Sequence, residues 1–283
     1  MAVRGSSLAV VTDTPIGFFD SGIGGLSILK EVRRLLPADD LVYLADQAHV
    51  PYGSRPAGEV RTFSVGITHF LLEHPAKIIV LACNTASAVA LRHLRQTFPD
   101  VPFVGMEPAV KPAAQATRTR VVGVLATPTT FAGELFASVV ERFAAGVRVI
   151  EQAVPGLVER IEAGDLSGPA TRQIVQQALE PLLAQGADTI VLACTHYPFV
   201  IPVIRELAGP DIEVIDPSPA IARQVKRVLD EQGTGSERAH HGRLLLYTSG
   251  ETRNLTEWVA RMPELSGEVA RARWVEGRLV AGE

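Results

Sequence analysis

The sequence predicts an α/β protein built on mostly parallel sheets flanked by helices. Two observations carry this. Short apolar runs alternate along the chain with longer segments of helical periodicity, and strand–helix alternation is what parallel sheets with crossover helices require. Small polar clusters follow those runs, where open parallel sheets bind their ligands, beyond the carboxyl ends of the strands. A chain of 283 residues holds one large or two medium domains.

In chain order, the first expected strand is Ile16–Phe19, an apolar run leading into Asp20-Ser21-Gly22. Leu26, Ile28, Leu29, Val32, Leu35 and Leu36 then recur at helical spacing and stop before Pro37, which cannot continue a helix. Strand Leu41–Leu44 precedes Asp46 and Pro51-Tyr52-Gly53, and a helix over Val60–Leu72 follows. Strand Ile78–Ala82 runs into Cys83-Asn84-Thr85 and a helix over Ala86–Phe98. Further strands are expected over Phe103–Gly105, Val121–Ala126, Val147–Glu151, Thr189–Ala193, Ile212–Ile215 and Leu244–Thr248. The remaining helices are expected over Glu134–Phe143, Pro169–Gln185, Pro219–Leu229 and Thr256–Met262. Breaks at Glu107-Pro108 and Asp216-Pro217 suggest domain boundaries, and the chain after Ile215 is too short for a third domain. Residues 16–108 together with 216–283 are therefore expected to form one lobe, and residues 109–215 the other. Gly233–His241 is expected to be a mobile loop.

An apolar content of 47% with 20% charged residues is that of an ordinary globular chain. The net charge of −4 gives no reason to expect nucleic acid or an anionic membrane as partner. No apolar run reaches the roughly 18 residues of a membrane span. The N-terminal stretch is apolar only at Leu8-Ala9-Val10-Val11, too short for a signal-peptide core. A cytoplasmic protein with a short, loose N-terminus is expected.

The two cysteines stand in nearly the same context. One ends Ile79-Val80-Leu81-Ala82-Cys83, followed by Asn84-Thr85. The other ends Ile190-Val191-Leu192-Ala193-Cys194, followed by Thr195-His196. A disulfide or two inert core thiols are the plain alternatives. A metal site is not expected, because no Cys-x-x-Cys or His-x-x-x-His accompanies them. A thiol between a strand and a helix lies in the positive field of the helix N-terminus, which lowers its pKa, and free N–H groups there can bind a carboxylate. Two such thiols facing one pocket would supply a base and an acid on opposite sides of a substrate. Phe19-Asp20-Ser21-Gly22-Ile23-Gly24-Gly25 is glycine-rich, but Ser27 stands where a dinucleotide loop needs glycine and no Lys-Ser/Thr pair follows. It is either a tight strand-to-helix turn or a place where backbone approaches a small substrate, with Asp20 binding an ammonium or polarising a thiol. His196 is either an acid–base group or a member of a hydrogen-bond network. The other histidines are read as surface or packing residues. The lysines lack a Schiff-base setting, which argues against pyridoxal phosphate.

Taken together, Phe19-Asp20-Ser21-Gly22-Ile23-Gly24-Gly25, Pro51-Tyr52-Gly53, Ala82-Cys83-Asn84-Thr85-Ala86 and Cys194-Thr195-His196-Tyr197-Pro198 closely resemble the cofactor-independent aspartate/glutamate racemase family. The resemblance covers roughly Ile16 to Gly250. It implies two similar α/β lobes with the active site in the cleft between them, no cofactor and no metal. It also implies interconversion of L- and D-glutamate, the D-isomer going to peptidoglycan. By position, Cys83 matches the base for D-glutamate and Cys194 the base for L-glutamate, with Asp20 assisting the first and His196 the second. Ser21, Pro51, Tyr52, Gly53, Asn84, Thr85 and Thr195 match substrate-holding positions, as do Thr127 and Thr130. Glu159 matches a further acidic position near the second cysteine. Val154 replaces a third cysteine common in relatives, outside the base pair. Another acidic amino acid as substrate, or a non-catalytic amino-acid-binding protein, are the competing readings. Relatives often pair, so a homodimer is one expectation that the sequence leaves open.

Overall fold

The computed structural model describes residues 14–236 and 238–282; the N-terminal stretch, apart from Thr14 and Pro15, lies outside them. The strands are β1 (Ile16–Asp20), β2 (Leu41–Ala45), β3 (Ile78–Leu81), β4 (Phe103–Val104), β5 (Val121–Ala126), β6 (Arg148–Ala153), β7 (Thr189–Ala193), β8 (Glu213–Ile215), β9 (Leu244–Thr248), β10 (Glu268–Val275) and β11 (Arg278–Ala281). The helices are α1 (Leu26–Leu35), α2 (Ala57–Glu73), α3 (Asn84–Thr97), α4 (Val110–Ala116), α5 (Pro128–Phe131), α6 (Glu134–Phe143), α7 (Leu157–Glu162), α8 (Pro169–Ala184), α9 (Ile201–Ala208), α10 (Ser218–Gln232) and α11 (Thr252–Val259).

These strands form two sheets. A seven-stranded sheet has the order β11-β10-β9-β2-β1-β3-β4, and a four-stranded sheet the order β6-β5-β7-β8. Every pairing is parallel except β10 with β11. The predicted α/β class is borne out. β1 lies between β2 and β3, with Ile16 opposite both Leu41 and Ile78, and all three strands are fully buried. Burial on both faces is why they read in sequence as unbroken apolar runs. All nine expected strands are present, and β10 and β11 are additional.

The first sheet draws on both ends of the described chain, whereas the second comes from residues 121–215 alone. α10 returns from β8 and packs on α1. One apolar cluster runs through both parts: Ile23 and Leu26 beside β1 join Leu157, Val158 and Tyr197 beside β7. At the amino end of the first sheet, Lys77 Nζ lies 2.6 Å from Asp39 Oδ1 and donates to the Thr234 carbonyl at 2.7 Å. Arg238 pairs with Asp40 at 3.1 Å. The stretch expected to be a mobile loop is therefore tied at Thr234 and Arg238. Among the described residues, no helix is long and apolar enough to cross a membrane.

Candidate active site

Parallel strands deliver their carboxyl ends to one edge, and here five ends converge. Asp20 closes β1, Asp46 follows β2, Cys83 follows β3, Thr127 follows β5 and Cys194 follows β7. The two thiols come from different sheets and line one nearly closed pocket, with a cavity volume of about 10 Å³. Ser21, Pro51, Tyr52, Gly53, Asn84, Thr85, Thr127, Thr195 and His196 line it too, with Val158 as an apolar wall. Asp20 sits behind this lining: its Oδ1 accepts from the Ser21 hydroxyl at 2.9 Å and its Oδ2 from the Thr195 hydroxyl at 2.7 Å. Thr130 stands behind Thr127 at 2.8 Å, and Thr85 Oγ1 reaches Thr127 Oγ1 at 3.0 Å.

Cys83 is the residue immediately before α3 and has extended backbone. The N–H groups of Ala86 and Ser21 point at its sulfur, as a helix start predicts. The net effect on the thiol is opposite to the sequence expectation. Burial pushes Cys83 well above the usual thiol range, and the nearby Asp20 charge adds to it, outweighing the two N–H groups. Burial likewise raises Asp20, against the opposing pull of the His196 charge and the Thr195, Ser21 and Gly22 hydrogen bonds.

Cys194 has a different neighbourhood. Its sulfur lies 3.9 Å from His196 Nδ1, and His196 Nε2 lies 2.7 Å from Glu162 Oε1. Burial opposes a charge on His196, yet its bonds to Cys194 and to the Glu162 carboxylate hold it well above the ordinary imidazole range. Burial opposes the Glu162 charge too, but His196, the Ile23 N–H and Gln47 together hold its carboxyl below the usual range. The result is an imidazolium–carboxylate pair, with the second imidazolium N–H directed at a sulfur.

Glu159 does not join this site. It is exposed on α7, whereas Glu162 of the same helix carries the carboxylate that meets His196. The reason is helical geometry. Leu157, Val158 and Ile161 form the buried face of α7, and residue 162 lies one turn after Val158 on that face. The apolar spacing of Leu157, Val158 and Ile161 was the signal that could have found it. Gly156 launches the helix in the left-handed region at φ 82°, a conformation that favours glycine. His49, read from the sequence as a surface or packing residue, is a packing one. It stacks on Phe63 at 3.8 Å between ring centroids and bonds Asp46 Oδ2 at 2.8 Å. Asp46 is fully buried and further accepts from Tyr52 at 2.6 Å, Ser249 at 2.7 Å and the Trp274 indole at 2.7 Å.

The walls meet closely. A Cβ on Gly22 would stand 1.8 Å from Glu162 Oε1, and one on Gly24 2.5 Å from His196 Nδ1. These glycines serve close approach of the backbone to the protein's own Glu162 and His196 side chains, rather than to a substrate. Asn84 is buried, and neither polar atom of its side chain has a partner. Such an amide is a ready binder for a polar ligand. Among the described residues, no group of three or more His, Cys, Asp or Glu side chains is placed to hold a metal ion. The arrangement can bind a small polar molecule between two thiols and stabilise developing negative charge with oriented donors.

The family model described as Asp/Glu/Hydantoin racemase matches residues 23–225. A glutamate racemase of Pseudomonas paraeruginosa is 51% identical over 260 residues, spanning 92% of this chain and 94% of its own. The crystal structure of a glutamate racemase isoform from Bacillus anthracis is similar with a TM-score of 0.84 at 28% identity, covering 94% of this chain and 98% of that one. Escherichia coli glutamate racemase, in complex with L-glutamate and the activator UDP-MurNAc-ala, gives a TM-score of 0.80 at 29% identity, covering 95% and 100%.

Proposed function

The chain belongs to the Asp/Glu/Hydantoin racemase family and is an amino-acid racemase acting on a small molecule; on that premise we propose that it interconverts L- and D-glutamate by proton transfer between two cysteines. The observation that carries this reading is the pair of buried thiols, one from each sheet, lining a single pocket. In the L-to-D direction, the Cys194 thiolate takes the Cα proton from one face. The Cys83 thiol gives its own proton to the other face, which inverts the centre and leaves Cys194 protonated and Cys83 as thiolate. The reverse direction exchanges the roles. The raised Cys83 thiol suits it to begin as the acid.

An α-proton is far less acidic than a thiol, so the pocket must lower the barrier with fixed donors and little water. Asn84 and the Thr85, Thr127 and Thr195 hydroxyls are the groups we assign to holding the substrate's polar ends, with Ser21 and Tyr52 beside them and Thr130 supporting Thr127 from behind. Asp20 acts on the Cys83 side. His196, backed by Glu162, acts on the Cys194 side. Glutamate is favoured over aspartate by the relatives named above, and the D-isomer is assigned to peptidoglycan synthesis as the family resemblance implies. Two free thiols suit the reducing cytoplasm.

The test is a chiral assay with L- and D-glutamate in heavy water, with aspartate run alongside. D-glutamate formed from L-glutamate is expected to carry solvent deuterium at Cα. Complete retention of the original hydrogen would sink the two-base scheme, and turnover of aspartate alone would move the substrate assignment.

A further inference from the structure

His196 is held by Glu162, and Glu162 is held partly from the other sheet. Its Oε1 accepts from the Ile23 N–H at 2.8 Å as well as from His196, and its Oε2 accepts from the Gln47 side-chain amide at 3.1 Å. Gln47 follows β2, so this bond joins an element of the seven-stranded sheet to a helix that packs with the four-stranded one. The amide is itself oriented. Thr248 Oγ1, at the end of β9, accepts from the Gly250 N–H at 3.0 Å, and its own proton therefore goes to Gln47 Oε1 at 2.8 Å. With the carbonyl end committed, the NH₂ end is the one turned to Glu162. The two backbone segments also touch: a Cβ on Gly250 would lie 2.8 Å from Gln47 Cβ. Thr248 lies beyond the residues matched by the family model.

We propose that Gln47, oriented by Thr248, is a positioning residue for one half of the reaction only. It fixes the Glu162 carboxylate, hence the His196 ring beside the Cys194 sulfur. Its own side-chain bonds run to Glu162 and Thr248 and to no group beside Cys83. The inference rests on the two-thiol reading above. Loss of the Gln47 bond leaves a buried carboxylate short of a donor and lets the imidazole drift, which raises the barrier for proton transfer at Cys194 and not at Cys83.

The enantiomers have equal energies, so kcat/KM must fall equally in both directions for any variant and cannot identify the affected half. Isotope effects can. Gln47→Leu is expected to lower kcat/KM about tenfold, the size of a hydrogen bond to a charged group. The deuterium isotope effect on kcat/KM should rise with Cα-deuterated L-glutamate, whose deuteron goes to Cys194, and fall toward unity with Cα-deuterated D-glutamate. Thr248→Val, which keeps shape and removes only the hydroxyl, should shift both effects in the same senses by less, and it carries the test should Gln47→Leu fail to fold. Equal changes in the two isotope effects, or unchanged values, would overturn the inference. A wild-type protein that neither racemises glutamate nor exchanges its Cα hydrogen would overturn the two-thiol reading instead.

Discussion

His196 and Glu162 show how single residues link chemistry to stability. The imidazolium is held above its ordinary value of about 6.5, because the Cys194 and Glu162 bonds outweigh burial. The folded chain therefore grips that proton more tightly than the unfolded chain does. The stabilisation is fully present below about pH 6.5 and is lost as pH rises through the raised value. Glu162, held below its ordinary value, contributes in the opposite sense: its stabilisation is present above about pH 4.3 and disappears in acid. Cys83 adds to the alkaline loss, because the unfolded thiol ionises at a pH where the buried one does not. Melting temperature is thus expected to fall from about pH 6 to about pH 10, and less steeply in His196→Asn than in the parent. Equal slopes would show that His196 is not the proton-linked group. Both thiols and His196 were legible in the sequence because a repeated strand end and a nearby imidazole are local features. Glu162 was not, because choosing between Glu159 and Glu162 requires knowing which face α7 buries.

At the scale of elements, two nearly identical sequence contexts have different structural sequels. Cys83 directly precedes an α-helix of fourteen residues, whereas Cys194 is followed by a tight 3-10 turn over Tyr197–Val200 before α9 begins at Ile201. Pro198 and Pro202 stand at the starts of these two pieces, where a missing N–H does least harm. One thiol is consequently governed by helix N–H groups and burial, the other by a histidine side chain. Buried strands were readable as apolar runs, but β10 was not. Glu268, Arg273 and Val275 of that strand are exposed and charged residues interrupt it, so neither a continuous run nor a clean alternation marks it. Yet it supplies Trp274, whose ring fills the space left by Gly66 on α2, where a Cβ would come within 2.7 Å. Trp274→Phe exchanges the indole for a smaller aromatic ring and removes the N–H donor to buried Asp46. About 1–3 kcal/mol of stability should be lost, seen as a drop of several degrees in thermal denaturation. KM should rise as well, because Asp46 also fixes Tyr52 at the pocket. An unchanged Tm and KM would show that the indole N–H is dispensable.

The whole molecule is organised by the path of its chain. The four-stranded sheet is made from one continuous stretch, but the seven-stranded sheet pairs β2 with β9, its neighbour in space and far from it in sequence. The same late segments carry Thr248, Ser249 and Trp274, which brace Gln47 and Asp46 from behind. A chain ended after residue 243 is expected to retain the four-stranded sheet, to leave the edge of β2 bare and to aggregate through it. Size-exclusion chromatography with limited proteolysis would check this, and a monodisperse, protease-resistant product would contradict it. This route also imposes an order of birth. As the chain leaves the ribosome, residues 121–215 can close their sheet while β2, already paired with β1, still lacks its outer neighbour β9. Both cysteines are already outside by then, but the braces are translated later. The pocket that holds both thiols is therefore completed only when the C-terminal strands dock behind Gln47 and Asp46.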